Sequence, residues 1–267
     1  MMHDTHIVTS GYPLHIPATV RAQAEELQPY GDGEDAAVVV ADVKKNFGLK
    51  PVLRRIDFVL PRGERLAVLG ANGAGKTTLL RLLAGLSKAN AGTICIDGLD
   101  MHTDAQDVRA RVGLVAHQTY VYEELSALEN LLFFARLYSV EQAPQRARAL
   151  LERVGLAKRA HERVRTFSRG QLQRLAWARA LLHAPTLLLL DEPDTGLDQQ
   201  GNELVATLLN EYHAQGGSVI FTTHQLERAL LLSDRVLILA GGRVAYQATT
   251  AQLTLSALQQ TYQEVVR

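Results

Sequence analysis

The chain has 267 residues, 47% of them hydrophobic, with 28 Lys and Arg against 28 Asp and Glu and a single cysteine. That length and apolar share suit one large α/β domain or two small ones and exclude disorder throughout. Lone Cys95 excludes a disulfide framework or a multi-cysteine metal centre, and the zero formal balance argues against a general nucleic-acid binder.

Residues 1–35 differ from the rest, holding Arg21 against Asp4, Glu25, Glu26, Asp32, Glu34 and Asp35, with prolines at 13, 17 and 29. Two readings stand for them: a flexible acidic extension with a short helix near residues 18–27, or a start codon placed too early. The most apolar stretch, Leu172 to Leu190, is interrupted by Arg174, Arg179, His183 and Pro185. A spanning helix needs about 20 nearly uncharged residues, so none is expected. The N-terminus lacks a basic region followed by an apolar block, so a secretory signal is not expected either.

From Ala36 onward strands and helices alternate. Residues 38–40 are apolar, and 52–60 and 64–70 read as short strands joined through the turn signal Pro61-Arg62-Gly63. Leucines at 79, 80, 82, 83 and 86 make a helical stripe over 78–86. Strand patterns recur at 93–97, 112–116, 186–190, 218–222, 235–239 and 243–246. Helices are expected over 125–138, 146–154, 168–183 and 202–215. Apolar strands interleaved with helices predict a mostly parallel sheet covered on both faces.

Three segments carry chemistry. Gly70-Ala71-Asn72-Gly73-Ala74-Gly75-Lys76-Thr77 lies between a strand and the helix that starts at Thr78. Glycines let main-chain amides turn around a phosphate chain, and the helix N-terminus adds unpaired donors and partial positive charge. Lys76 would reach the β- and γ-phosphates and the Thr77 hydroxyl would hold Mg²⁺. The apolar run 187–190 ends in Asp191 and Glu192, at the sheet edge where the phosphate loop sits. Asp191 suits Mg²⁺ and Glu192 suits a general base on the attacking water. Finally, Phe167-Ser168-Arg169-Gly170-Gln171 opens a helix. Ser168 caps it and Gly170 allows close approach of an anion, 91 residues after Thr77.

With this third segment the chain resembles the ATP-binding-cassette (ABC) ATPases, whose signature reads Leu-Ser-Gly-Gly-Gln. Phe167 and Arg169 depart from it at the first and third positions. The resemblance runs from about residue 37 to 245. It implies an α/β fold: a P-loop NTPase core with a mostly parallel sheet, an antiparallel β subdomain, and a helical subdomain near 120–167, followed by a tail over 247–267. It also implies that ATP and Mg²⁺ are bound between two copies of the cassette. The tip of Ser168, Gly170 and Gln171 would then close over the nucleotide of the second subunit. Gln118 matches the glutamine that contacts Mg²⁺ and the transmembrane partner, and His224 the switch histidine at the γ-phosphate. Asp198, in Thr195-Gly196-Leu197-Asp198, matches the loop that communicates across the dimer. Phe47 stands where an aromatic stacks on adenine.

The resemblance thus points to a transport ATPase at the cytoplasmic side of the cell membrane, held there by a separate permease, with no nucleic-acid partner. Its alternative from another class is a soluble iron–sulfur assembly ATPase. For cargo, the stretches 113–118, 128–131 and 222–225 are similar to haem-exporter ATPases of cytochrome c maturation. Drug, lipid or polysaccharide exporters remain the other reading.

Overall fold

In the computed structural model, which describes residues 35–193 and 199–266, ten strands form one sheet. They are β1 (Ala36–Phe47), β2 (Lys50–Pro61), β3 (Arg65–Leu69), β4 (Ala91–Ile96), β5 (Leu99–Asp100), β6 (Val112–Val115), β7 (Leu187–Asp191), β8 (Ser218–Thr222), β9 (Arg235–Ala240) and β10 (Arg243–Thr249). Their spatial order is β5-β4-β1-β2-β10-β9-β3-β8-β7-β6. The run from β9 to β6 is parallel throughout. The β5-β4-β1-β2 end is antiparallel, and β10 joins the halves, antiparallel to β9 and parallel to β2. A mostly parallel sheet therefore describes the half that carries the phosphate loop. The other half is built from hairpins.

The parallel strands are apolar without interruption because both of their faces are covered. Side chains on a strand alternate between faces. Leu66 and Val68 of β3, Leu187 and Leu189 of β7, Ile220 of β8, and Leu237 and Leu239 of β9 enter one core. Ala67, Leu69, Leu188, Leu190, Val219, Phe221, Val236 and Ile238 enter the other. Helix α1 (Lys76–Leu83) covers the first face with Leu79, Leu80, Leu82 and Leu83, helped by Val108 of α2 (Ala105–Arg111).

The second face is covered by α3 (Ala127–Leu137), α4 (Ala143–Arg153), α5 (Arg169–Leu181) and α6 (Gln199–Ala214). Ala229 of α7 (Leu226–Leu232) and Leu258 of α8 (Leu255–Val265) complete that core. Both α3 and α5 open on a capping box, Ser126 with Glu129 and Ser168 with Gln171, which satisfies amides that the first turn would otherwise leave unpaired.

Three α-helices and the two-residue strand β5 went unread in the sequence pattern. Helix α2 and helix α7 are seven residues long, too short for a helical period to stand out. The tail 247–267 holds α8, whose mixed polar run buries only Leu258. The expected helix near 18–27 lies outside the described residues.

Candidate active site

A cleft of about 640 Å³ opens where β3 and β9 end and α1 begins. Asn72, Gly73, Ala74, Gly75, Lys76, Thr77, Thr78 and Glu192 all line it. Its local geometry follows from the glycines. Gly70 leaves β3 with φ +147°, and a Cβ there would meet the Leu239 carbonyl oxygen at 2.4 Å. Only glycine fits that turn. Gly75, at φ 108°, stands at the N-cap of α1 and gives it no side-chain cap. The first-turn amides of α1 thus lack the side-chain acceptor found at α3 and α5, as an anion-binding helix end requires.

Inside this loop the buried Lys76 ammonium donates to the carbonyl oxygens of Gly70 at 2.7 Å and Ala71 at 3.2 Å. Burial lowers its pKa from the usual lysine range, and the nearby charges of Glu192 and Asp191 oppose that shift. The two carboxylates come from the end of β7, in register with β8. Asp191 Oδ1 accepts from the Thr222 hydroxyl at 2.8 Å, and the Glu192 main-chain N–H donates to the same hydroxyl oxygen at 3.0 Å. Glu192 adopts φ +49°, the left-handed region. Its Oε1 lies 3.8 Å from Nδ1 of His224, on the loop that follows β8. Lys76, Asp191, Glu192 and His224 thus converge on one end of the parallel sheet.

Other expected residues lie elsewhere. Phe47 is 55% exposed at the tip of the β1–β2 hairpin, with the Lys45 ammonium 5.0 Å from its ring centroid. It does not line the cleft, but its register partner Lys50 does. Gln118 is exposed on the loop after β6. Ser168, Gly170 and Gln171 form the tip of α5, apart from the cleft. The Ser168 hydroxyl accepts from the Gln171 N–H at 3.3 Å, and Gln171 Oε1 accepts from the Ser168 N–H and from Arg159. A Cβ on Gly170 would meet nothing within 4 Å, so its backbone stands open. Asp198 and its loop lie outside the described residues.

The cleft also uses residues the sequence pattern did not flag. Pro51, Val52 and Arg54 from β2, Gly241 and Gly242 from the β9–β10 turn, and Val265 and Val266 at the end of α8 form its remaining walls. The Gly-Gly pair signals a turn, but what brings that turn onto β2 is the Gly242 carbonyl, which accepts from the N–H groups of Arg54 at 2.7 Å and Arg55 at 3.5 Å.

A second groove, of about 420 Å³, runs between the sheet's β6 edge and α3 and α5. Leu86, Tyr120, Tyr122 and Phe134 line it, with the Arg179 guanidinium 5.3 Å from the Phe134 ring centroid. Leu86 and Tyr122 are about half exposed, at 49% and 51%.

A family model described as ABC transporter matches residues 53–195. The linearmycin resistance ATP-binding protein LnrL of Bacillus subtilis is 34% identical over 214 residues, covering 79% of this chain and 69% of that protein. The Nod factor export ATP-binding protein I of Paraburkholderia xenovorans is 38% identical over 226 residues, covering 84% and 74%. Among solved structures, a dimeric post-hydrolysis ATP-binding cassette bound to ADP and phosphate superposes with a TM-score of 0.73. It is 28% identical and covers 80% of this chain and 98% of that one.

Proposed function

Because the chain belongs to the ABC transporter family, an ATPase coupled to transport, we propose that two copies sandwich MgATP and drive export through a separate membrane subunit. The observation that supports this best is a division within one chain. The cleft holds the phosphate loop and Glu192 but none of Ser168, Gly170 or Gln171, although those residues form a second helix tip open to an anion. A dimer in which each α5 tip covers the partner's nucleotide uses both features.

In this reading the amides of residues 72–76 and the Lys76 ammonium bind the phosphates, and Phe47 stacks on the base. Glu192 accepts the proton of the attacking water. His224 contacts the γ-phosphate and is oriented by its proximity to Glu192, and Asp198 communicates across the dimer. Among the described residues no group of three or more His, Cys, Asp or Glu is placed to hold a metal ion. One hydroxyl, one carboxylate and one amide oxygen (Thr77, Asp191, Gln118) are hard donors of the kind that share Mg²⁺ with substrate phosphates and water. Bound there, Mg²⁺ would neutralise charge on the β- and γ-phosphates.

A mixed dimer separates a composite site from a local one. With Ser168→Arg on one subunit, the nucleotide site of the unmodified partner is expected to lose turnover while the altered subunit's own cleft still binds ATP. Single-site labelling with a photoreactive ATP analogue reads this out, and loss confined to the altered subunit's cleft would contradict the sandwich.

No helix among the described residues is long and apolar enough to cross a membrane. The 420 Å³ groove, lined largely by aliphatic and aromatic side chains and rimmed by half-exposed Leu86 and Tyr122, suits a short helix of the permease, which would hold the chain at the cytoplasmic face of the membrane. Leu86→Arg is therefore expected to weaken co-purification with the membrane subunit while leaving the ATPase rate of the isolated chain near wild type. Loss of both together would argue against docking here.

For cargo, the haem reading rests on the short stretches 113–118, 128–131 and 222–225. The relatives named for linearmycin resistance and Nod factor export support the other reading better, a drug, lipid or polysaccharide exporter. Transport measured with the native membrane subunit tests it.

A further inference from the structure

We infer that Thr222 is a positioning residue that fixes Asp191 and Glu192 relative to each other through one buried hydroxyl. The inference rests on the proposed roles of those two acids. Thr222 closes β8 directly opposite Asp191 in the parallel register with β7, and it is fully buried, at 0% exposure. Its hydroxyl has one proton to give and lone pairs to receive, and both capacities are engaged at the site. It donates to Asp191 Oδ1 at 2.8 Å and accepts the Glu192 N–H at 3.0 Å.

The first bond orients the Asp191 carboxylate. The second holds the main chain of Glu192 in its left-handed conformation, φ +49°. That conformation is uncommon for a residue with a Cβ and is held by its surroundings. The neighbouring Thr223 does different work. Its hydroxyl accepts the Gln225 N–H at 3.1 Å and shapes the loop that carries His224. Thr222 therefore links the acid at the strand end to the base beyond it.

Thr222→Val keeps the volume and removes the hydroxyl, and Thr222→Ser keeps the hydroxyl and removes the methyl. Two measurements on the full chain tell them apart: steady-state ATP hydrolysis over an Mg²⁺ titration, and equilibrium binding of a fluorescent ATP analogue with and without Mg²⁺. The Val variant is expected to lose about 10–100-fold in kcat or in apparent Mg²⁺ affinity. Its KM for ATP and its Mg²⁺-free nucleotide binding should stay near wild type, and the Ser variant should retain both activity and Mg²⁺ dependence.

Should Thr222→Val fail to fold, Thr222→Ala repeats the comparison with Ser. Equal losses in the Ser and hydroxyl-free variants, or both kcat and apparent Mg²⁺ affinity unchanged in the latter, would overturn the assignment. Glu192→Gln serves as the control. If it is inactive while Thr222→Val is normal, only this inference fails. If Glu192→Gln itself turns over normally, the underlying roles fail.

Discussion

Glu192→Gln is expected to bind ATP, hold the closed dimer and lose turnover by roughly 10²–10⁴-fold, the usual worth of a general base. The substitution is nearly isosteric, so the main-chain bond from residue 192 to the Thr222 hydroxyl, 3.0 Å long, survives. What disappears is the ability to accept a proton and a negative charge at the cleft. Loss of that charge removes a repulsion toward the phosphates, so nucleotide affinity should be kept or raised.

In the proposed sandwich the closed state depends on contacts to the γ-phosphate from both subunits. A variant that cannot cleave it leaves the population closed. Phosphate release measures the first effect. Size-exclusion chromatography with and without ATP measures the second, as a dimer that forms with ATP and persists. A variant that hydrolyses ATP normally would remove Glu192 from the role of base and return it to a charge at the strand end.

Lys76→Ala is expected to abolish ATP binding at ordinary concentrations. The ammonium is buried inside the phosphate loop, with donors already aimed at the Gly70 and Ala71 carbonyl oxygens. Hydrogen bonds to charged groups contribute about 1.5–3 kcal/mol each. Two such bonds to phosphate oxygens amount to roughly 10²–10⁴ in affinity. Calorimetric titration with ATP checks this. An unchanged affinity would mean that the phosphates lie elsewhere, and the placement of the whole site would have to be abandoned. The two variants differ in kind: Lys76→Ala should leave a monomer with ATP present, whereas Glu192→Gln should leave a trapped dimer.

Much of the site was legible because phosphate binding constrains the chain locally. A glycine-rich turn between a strand and a helix, followed by lysine and threonine, has its chemistry written into consecutive residues. The same holds for Leu187–Leu190 followed by two acids, and for Ser168 with Gln171, whose capping box spans four residues. Thr222 was hidden for the opposite reason. In sequence it is one more residue of a buried strand, and only the register that sets it opposite Asp191 reveals what its hydroxyl does. The walls supplied by Val52, Arg54, Gly242 and Val266 were equally silent, since they reach the cleft from β2, the β9–β10 turn and the end of α8.

The order of apolar and glycine-rich segments along this chain was enough to specify a P-loop α/β core, its phosphate loop and the acids at the strand end. Period-2 and period-3.6 patterns and a helix N-terminus are short-range properties of neighbouring residues. Tertiary structure alone decided that a hairpin-built half continues the same sheet through β10, and that α8 returns to wall the nucleotide cleft. It also decided that one threonine hydroxyl is shared by the two acids. These depend on strand order and register, which are set by how distant segments bury their faces against each other, and no local pattern encodes them.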